Sequence, residues 1–262
     1  MNIFQVKRYI SYLFKARHWK GFGIHSPFVY DFVVNLLSVN PEYYCFRPIR
    51  SWKNVLRKNR TFIEVTDYGS GSKVSNSNQK RVCDIINNET IPMRYGELLF
   101  RMINNFAPEG IIELGTSLGI STLYLGLPKR SSKIVTIEGC PNKATIAKQT
   151  FKKFKMNNIE LIIGTFSENL INAIKKLPSF DFLFIDGDHR KDATLNYFNE
   201  SLDYVHNNTI IVFDDIHLTK EMETAWNEIV ACPKVTISID IFRFGIVFFR
   251  NECQKQHFVV RF

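Results

Sequence analysis

Cysteine is scarce and unpatterned in this chain. Its five residues, Cys45, Cys83, Cys140, Cys232 and Cys253, are odd in number among 262 and show no Cys-x-x-Cys spacing. A disulfide framework and a zinc knuckle are both excluded by that pattern, which leaves packing thiols. Long apolar runs are also missing, and no stretch reaches the roughly 18 to 20 residues that span a bilayer. The opening MNIFQVKRYISYLFKARHWK scatters basic residues through a short amphipathic pattern and lacks a continuous apolar block before a small-residue cleavage site. It does not read as a secretory signal, so a cytoplasmic chain is expected. With 45% hydrophobic and 23% charged residues, collagen-like, low-complexity and tail-like classes are excluded as well. The length suits one large α/β domain, or one domain and a small appendage, with a core that needs no staples.

Acidic residues are few only at the start. Residues 1–60 hold eleven lysines and arginines against Asp31 and Glu42, whereas the remainder holds 23 of each sign. The excess of nine positive charges is thus one N-terminal segment, interleaved with Trp19, Trp52 and many Phe and Tyr. Such a segment can be the solvated face of amphipathic helices, or it can meet an anionic surface. Nucleic acid is disfavoured, because no helix-turn-helix, RNP-type aromatic motif or metal finger accompanies the charge.

Apolar spacing at Ile3, Val6, Ile10, Leu13 and Phe14 predicts a surface helix over 3–18, ended by Gly21-Phe22-Gly23. Ser26-Pro27 supplies an N-cap and a first-turn proline for a second helix running to about Val39. Pro41 and Pro48 punctuate the segment after it, and the Gly/Ser-rich stretch 66–79 reads as a loop or hairpin tip. A boundary is expected near residue 90, separating a basic helical region with a lid or acceptor-side loop (1–90) from the main domain (91–262).

From Pro92 onward helices and strands alternate. Strands are expected at 110–114, 133–138, 159–164, 180–186 and 209–215, and helices at 92–106, from Ser121, and at 141–156, 167–177, 191–205 and 219–231. The runs 234–241 and 244–250 are joined too briefly for a crossover and should form an antiparallel hairpin at the sheet edge. The result is an α/β fold: a doubly wound, mostly parallel, seven-stranded sheet of Rossmann-like form, with a C-terminal hairpin and an N-terminal helical extension. Its ligands belong beyond the carboxyl ends of the strands.

Three strand ends carry the chemistry there: Glu113 to Ser121 after the first strand, Glu138-Gly139 after the second, and Asp186-Gly187-Asp188-His189 after the fourth. A small-residue turn lets backbone approach a ligand closely, and an acid closing the next strand can accept from two vicinal ribose hydroxyls, so a nucleoside-containing cofactor is indicated. Glu138 stands 19 residues after Gly119, the order and distance that role requires. The turn reads G-x-x-x-G, with Ser117 where dinucleotide sites place the glycine that admits a pyrophosphate. An adenosine cofactor without phosphate fits better.

Over residues 92–250 the ordered set RYGELLFRMI, IIELGTSLGIS, TIEG, IIGTFSENL, FDFLFIDGDH and IIVFDDIH resembles the class I S-adenosylmethionine-dependent methyltransferases, in particular the small-molecule O-methyltransferases related to catechol O-methyltransferase. HSPF (25–28) and DYGSGSK (67–73) resemble an arrangement found in bacterial members. The resemblance implies that Gly115, Thr116 and Ser117 line the methionine portion of S-adenosylmethionine, Ser121 its carboxylate, Glu138 the ribose, and Thr165, Phe166 and Ser167 the adenine. Glu113, Gly119, Gly139 and Asp186 complete the cofactor lining. DYGSGSK is not the cofactor turn, because no second strand with a terminal acid comes after it, and it is assigned to the substrate side.

Methyl transfer requires an aligned acceptor whose oxygen is deprotonated as it attacks. Two devices could supply this. Asp186, Asp214 and Asp215 could gather as oxygen ligands of Mg²⁺; metal-dependent relatives place an amide where this chain has Asp215. The alternative for Asp214-Asp215 is a helix cap beside a solvated acid. The second device is a histidine base, His189, which stands where those relatives carry a lysine; His217 and His25 are lesser candidates. The activity implied is O-methylation of a small hydroxylated molecule. The competing readings are a catalytically silent cofactor-binding module docking an anionic partner through the basic N-terminus, and a nucleotide-dependent dehydrogenase. Expected partners are the small acceptor, an anionic surface at the N-terminus, and a second copy of the chain as a homodimer.

Overall fold

The structure is a computed structural model that describes residues 3–16, 18–66 and 79–262. The tip of the Gly/Ser-rich stretch, DYGSGSK included, lies outside the described residues.

Helix α1 (Ile3–Lys15) turns one face inward. Arg8 pairs with Glu223 at 2.5 Å, and the Tyr12 hydroxyl donates to the Val260 carbonyl at 2.5 Å and accepts from the Phe262 N–H at 3.0 Å. Val6, Ile10 and Phe14, on the opposite stripe, are exposed. Helix α2 (Pro27–Phe32) begins as the sequence predicts: Ser26 Oγ accepts from the Val29 N–H at 3.4 Å with Pro27 in the first turn, and a wider helical turn continues through Val33–Leu37. Helix α3 (Phe46–Lys58) is not anticipated by the prolines around it. Pro48 falls in its first turn, where a missing N–H costs no helical bond. Strands β1 (Phe62–Glu64) and β2 (Gln79–Arg81) pair antiparallel, followed by α4 (Val82–Asn88) and α5 (Met93–Phe106).

The alternation then runs β3 (Gly110–Leu114), α6 (Ile120–Gly126), β4 (Lys133–Glu138), α7 (Pro141–Lys153), β5 (Ile159–Ile163), α8 (Phe166–Lys175), β6 (Phe182–Ile185), α9 (Lys191–Ser201), β7 (Ile210–Phe213), α10 (Lys220–Ala231), β8 (Ile237–Asp240), β9 (Gly245–Phe248) and β10 (Gln256–Val259). β3, β4 and β6 to β9 are near-continuous apolar runs with almost every residue buried, the composition of strands covered on both faces. The mostly parallel α/β class expected from the sequence is present. It has one strand more than seven, because β10 pairs parallel with β8 and takes the edge position expected for the hairpin.

The chain divides into two compact units. Residues 41–179 hold strands in the order β3-β4-β5, all parallel, and the β1-β2 pair. Residues 1–40 and 180–262 hold the order β10-β8-β9-β7-β6, with β9 antiparallel to both β8 and β7. Neither junction falls at residue 90. Helices α3 and α4 belong with the β3-β4-β5 unit, and their charges are bound inside it. Arg50 pairs with Glu42 and Glu97, buried Lys53 Nζ donates to the Ile91 carbonyl at 3.1 Å, and Trp52 Nε1 donates to Thr150 Oγ1 of α7 at 3.0 Å. Part of the N-terminal positive charge therefore serves packing. Among the described residues no helix is long and apolar enough to cross a membrane.

Candidate functional site

In the 41–179 unit the chain bends sharply as it leaves β3. Gly115, Ser117 and Gly119 have φ of 103°, 47° and 83°, three left-handed residues in five. The Gly115 and Thr116 N–H groups both donate to the Ile137 carbonyl, at 3.0 and 3.3 Å, and the Gly119 N–H donates to the Thr116 carbonyl at 2.8 Å. At Gly119 a Cβ would lie 2.8 Å from the Phe151 ring, so that position needs glycine for both conformation and space.

Glu138 closes β4 beside this bend. Its Oε2 accepts from the Ser117 N–H at 2.7 Å and its Oε1 from the Cys140 N–H at 2.9 Å. The bend and the acid meet, as a site for one small ligand requires. Each carboxylate oxygen retains capacity for a further donor, which is what a vicinal diol supplies. Burial raises the Glu138 pKa, while Lys143 and the two N–H groups act against that rise. Lys143 is itself held at 2.7 Å by Glu89. The Ser117 hydroxyl is buried without a hydrogen-bond partner among the described residues. An orphaned buried donor in the bend suits a polar ligand.

The other residues expected to line the cofactor divide between support and site. Glu113 is fully buried, its Oε2 accepting from Thr122 and Thr136 hydroxyls at 2.5 and 2.6 Å. Burial pushes its pKa to about 7 against the pull of the Ser121, Thr122 and Thr136 hydroxyls. Thr116 turns its hydroxyl to Thr136 at 2.6 Å. Ser121, expected at a carboxylate, is buried close enough to Glu113 to lower the pKa of that acid. These residues hold the bend from beneath. Thr165 stands at the N-cap position of α8 with its hydroxyl donating to Glu168, Phe166 is half-buried and Ser167 exposed, and Gly139 is half-buried.

The second expected constellation lies in the unit of residues 1–40 and 180–262, after β6 and β7. Asp186, Asp215 and His189 gather there, with His189 Nε2 3.9 Å from a carboxylate oxygen of each acid. Burial, the charge of Asp214 and a hydrogen bond with it raise Asp186 well above the usual carboxylate range. Asp215 is pushed up to about 7 by burial and Asp214. Burial lowers the His189 pKa, so the imidazole is neutral near pH 7 and able to accept a proton. Asp188 is occupied by Arg190 at 2.5 Å and by the Tyr197 hydroxyl at 3.0 Å.

Arg243, which no local motif marks, completes this cluster. Its Nε donates to Asp214 Oδ1 at 2.7 Å and its Nη2 to Asp214 Oδ2 at 2.6 Å, with Asp215 Oδ2 3.3 Å away. Among the described residues no group of three or more His, Cys, Asp or Glu is arranged to hold a metal ion. The expected Mg²⁺ ligands Asp186, Asp214 and Asp215 therefore do not fit that ion, because a guanidinium already spans the central carboxylate. His217 is also committed elsewhere: its Nε2 meets Asp240 Oδ2 at 2.8 Å and its ring stacks on Phe242. His25 is exposed beside α2.

Positions 112–216 match the family described as Methyltransferase domain. The Transmembrane O-methyltransferase of Homo sapiens is 33% identical over 84 residues, covering 30% of this chain and 28% of that protein. Catechol O-methyltransferase B of Danio rerio is 31% identical over 105 residues, covering 38% and 39%. The chain thus spans under half the length of these two curated relatives. An O-methyltransferase from Bacillus cereus in complex with SAH superposes with a TM-score of 0.56 at 18% identity over 80% of this chain and 91% of its own, a likeness of fold. Over residues 112–216 the chain thus resembles methyltransferases, and the curated relatives and the superposed structure named here are O-methyltransferases.

Proposed function

We propose that this protein transfers the methyl group of S-adenosylmethionine to a hydroxyl of a small molecule in the cytoplasm. One observation carries the cofactor assignment: the Ser117 N–H and the Glu138 carboxylate lie 2.7 Å apart, so a sugar diol on the acid would sit against the glycine bend. S-adenosylmethionine supplies an electrophilic methyl on a sulfonium, and displacement joins that methyl to the acceptor oxygen while the S–C bond breaks and a proton leaves the acceptor.

In this reading Glu138 takes the ribose hydroxyls, and Gly115 to Ser117 take the methionine portion, with the orphaned Ser117 hydroxyl as a donor. Thr165, Phe166 and Ser167 edge the adenine. His189 accepts the acceptor's proton, supported by its neutral state and by the nearby charge of Asp214, which favours the imidazolium that forms. No step passes through a metal.

Calorimetric titration with S-adenosylhomocysteine tests the cofactor half. Glu138→Ala removes two charge-assisted hydrogen bonds to the ribose, each worth roughly 1.5–3 kcal/mol, so affinity should fall about a hundredfold or more. Unchanged binding would remove the assignment. On the acceptor side, His189→Gln should lower turnover about 10²- to 10⁴-fold in an acceptor screen of phenols, catechols and sugar hydroxyls, while leaving S-adenosylhomocysteine affinity intact.

A further inference from the structure

We propose that Arg243 is the resident cation of the acid cluster, occupying the place of a divalent ion, so that this methyltransferase works without a metal. The inference deepens the proposed methyl transfer and rests on it for the reaction alone.

Both oxygens of Asp214 are engaged. Oδ1 accepts from Arg243 Nε at 2.7 Å and from the Asp215 N–H at 2.8 Å, and Oδ2 accepts from Arg243 Nη2 at 2.6 Å. The Asp214 side chain has no solvent exposure, so no hydrated ion reaches it without displacing the guanidinium. Arg243 cannot step aside by losing its charge, since a guanidinium stays protonated, and its planar fork matches the carboxylate in two parallel bonds. Its backbone is pinned as well: the Arg243 N–H donates to the Ile241 carbonyl at 3.0 Å and its carbonyl accepts from the Ile216 N–H at 3.2 Å. The segment that carries Asp214 and Asp215 is thereby tied to the segment that neutralises them. Mg²⁺ demands near-octahedral oxygen ligation at short range and surrenders its waters reluctantly, which a carboxylate already spanned by a fork does not offer.

Removal of the fork should expose the acids to cations. Titration of the full-length protein with Mn²⁺, monitored by electron paramagnetic resonance, should reveal no stoichiometric site in the wild type. Arg243→Gln should gain one site, at least tenfold tighter than any wild-type binding, and Asp214→Asn in the Arg243→Gln background should abolish it. Arg243→Lys keeps the charge and should bind no Mn²⁺. Methyl transfer by the wild type should be unchanged in EDTA. A wild-type Mn²⁺ site, activity lost in EDTA and restored by Mg²⁺, or a folded Arg243→Gln that gains no site would each overturn the proposal. Should Arg243→Gln fail to fold, the wild-type titration still decides. Calorimetry with S-adenosylhomocysteine reports separately on the methyltransferase reading, so failure of one is distinguishable from failure of the other.

Discussion

Glu113 stands next to the end of β3 as a carboxyl with no solvent exposure, accepting from the Thr122 and Thr136 hydroxyls, and its pKa rises from 4.5 to about 7. The folded state therefore holds this proton more tightly than the unfolded chain does. The stability it contributes is complete below about pH 4.5 and is lost as pH rises through 7. The shift corresponds to about 3 kcal/mol. Glu113→Gln should accordingly flatten the fall in melting temperature between pH 5 and 8, measured by scanning calorimetry, and leave the variant the more stable protein at pH 8. A second residue-scale test concerns Gly119. Alanine there meets both a left-handed φ and the Phe151 ring at 2.8 Å, and should destabilise by about 2–4 kcal/mol in urea titrations. The sequence makes Gly119 and Glu138 legible because the order strand, small turn, strand, acid fixes which strand ends face one another. It does not make Arg243 legible: the residue sits in the short turn between β8 and β9, and the acid it holds is 29 positions away.

At the scale of elements, helix α1 shows two faces of different fate. Arg8 and Tyr12 are tied inward, while Val6, Ile10 and Phe14 recur at four-residue spacing on the outer face, Phe14 being 78% and nearby Phe22 82% exposed. Exposed Lys7 and Lys15 accompany that stripe. Such a face has the make-up that suits an anionic lipid surface, apolar side chains for the headgroup boundary and lysines for the charge, and binding to vesicles tests that reading. Co-sedimentation with phosphatidylglycerol-containing vesicles should capture the protein, and neutral phosphatidylcholine vesicles should capture far less. Ile10→Asp with Phe14→Asp should abolish capture while costing no more than about 1 kcal/mol of stability. Capture unaffected by these changes would refute the inference. Periodicity makes α1 readable, but α3 and β10 are harder to read. Pro48 disguises the first turn of α3, and β10 is four residues, QHFV, with only Phe258 buried, too short for an alternation to declare itself.

For the whole molecule, ligand linkage separates the readings of function. S-adenosylhomocysteine at a hundred times its dissociation constant contributes about 2.7 kcal/mol to the folded state, which should raise the melting temperature by about 5 °C or more, whereas NAD should leave it unchanged. A shift with NAD alone would favour the dehydrogenase reading instead. Architecture of this size is legible from the alternation of helix and strand, but the partition into units is not. It depends on residues 1–40 joining 180–262, a closure that no local signal announces. Tyr12 and Val260 stand 248 positions apart, so this partner of the inner face of α1 is not made until 248 further residues have been added. At roughly 5–20 residues per second that interval is about 12–50 s. Throughout it the nascent helix leaves the ribosome with apolar residues bare on both sides, a client for chaperones or for any lipid surface that reaches it first.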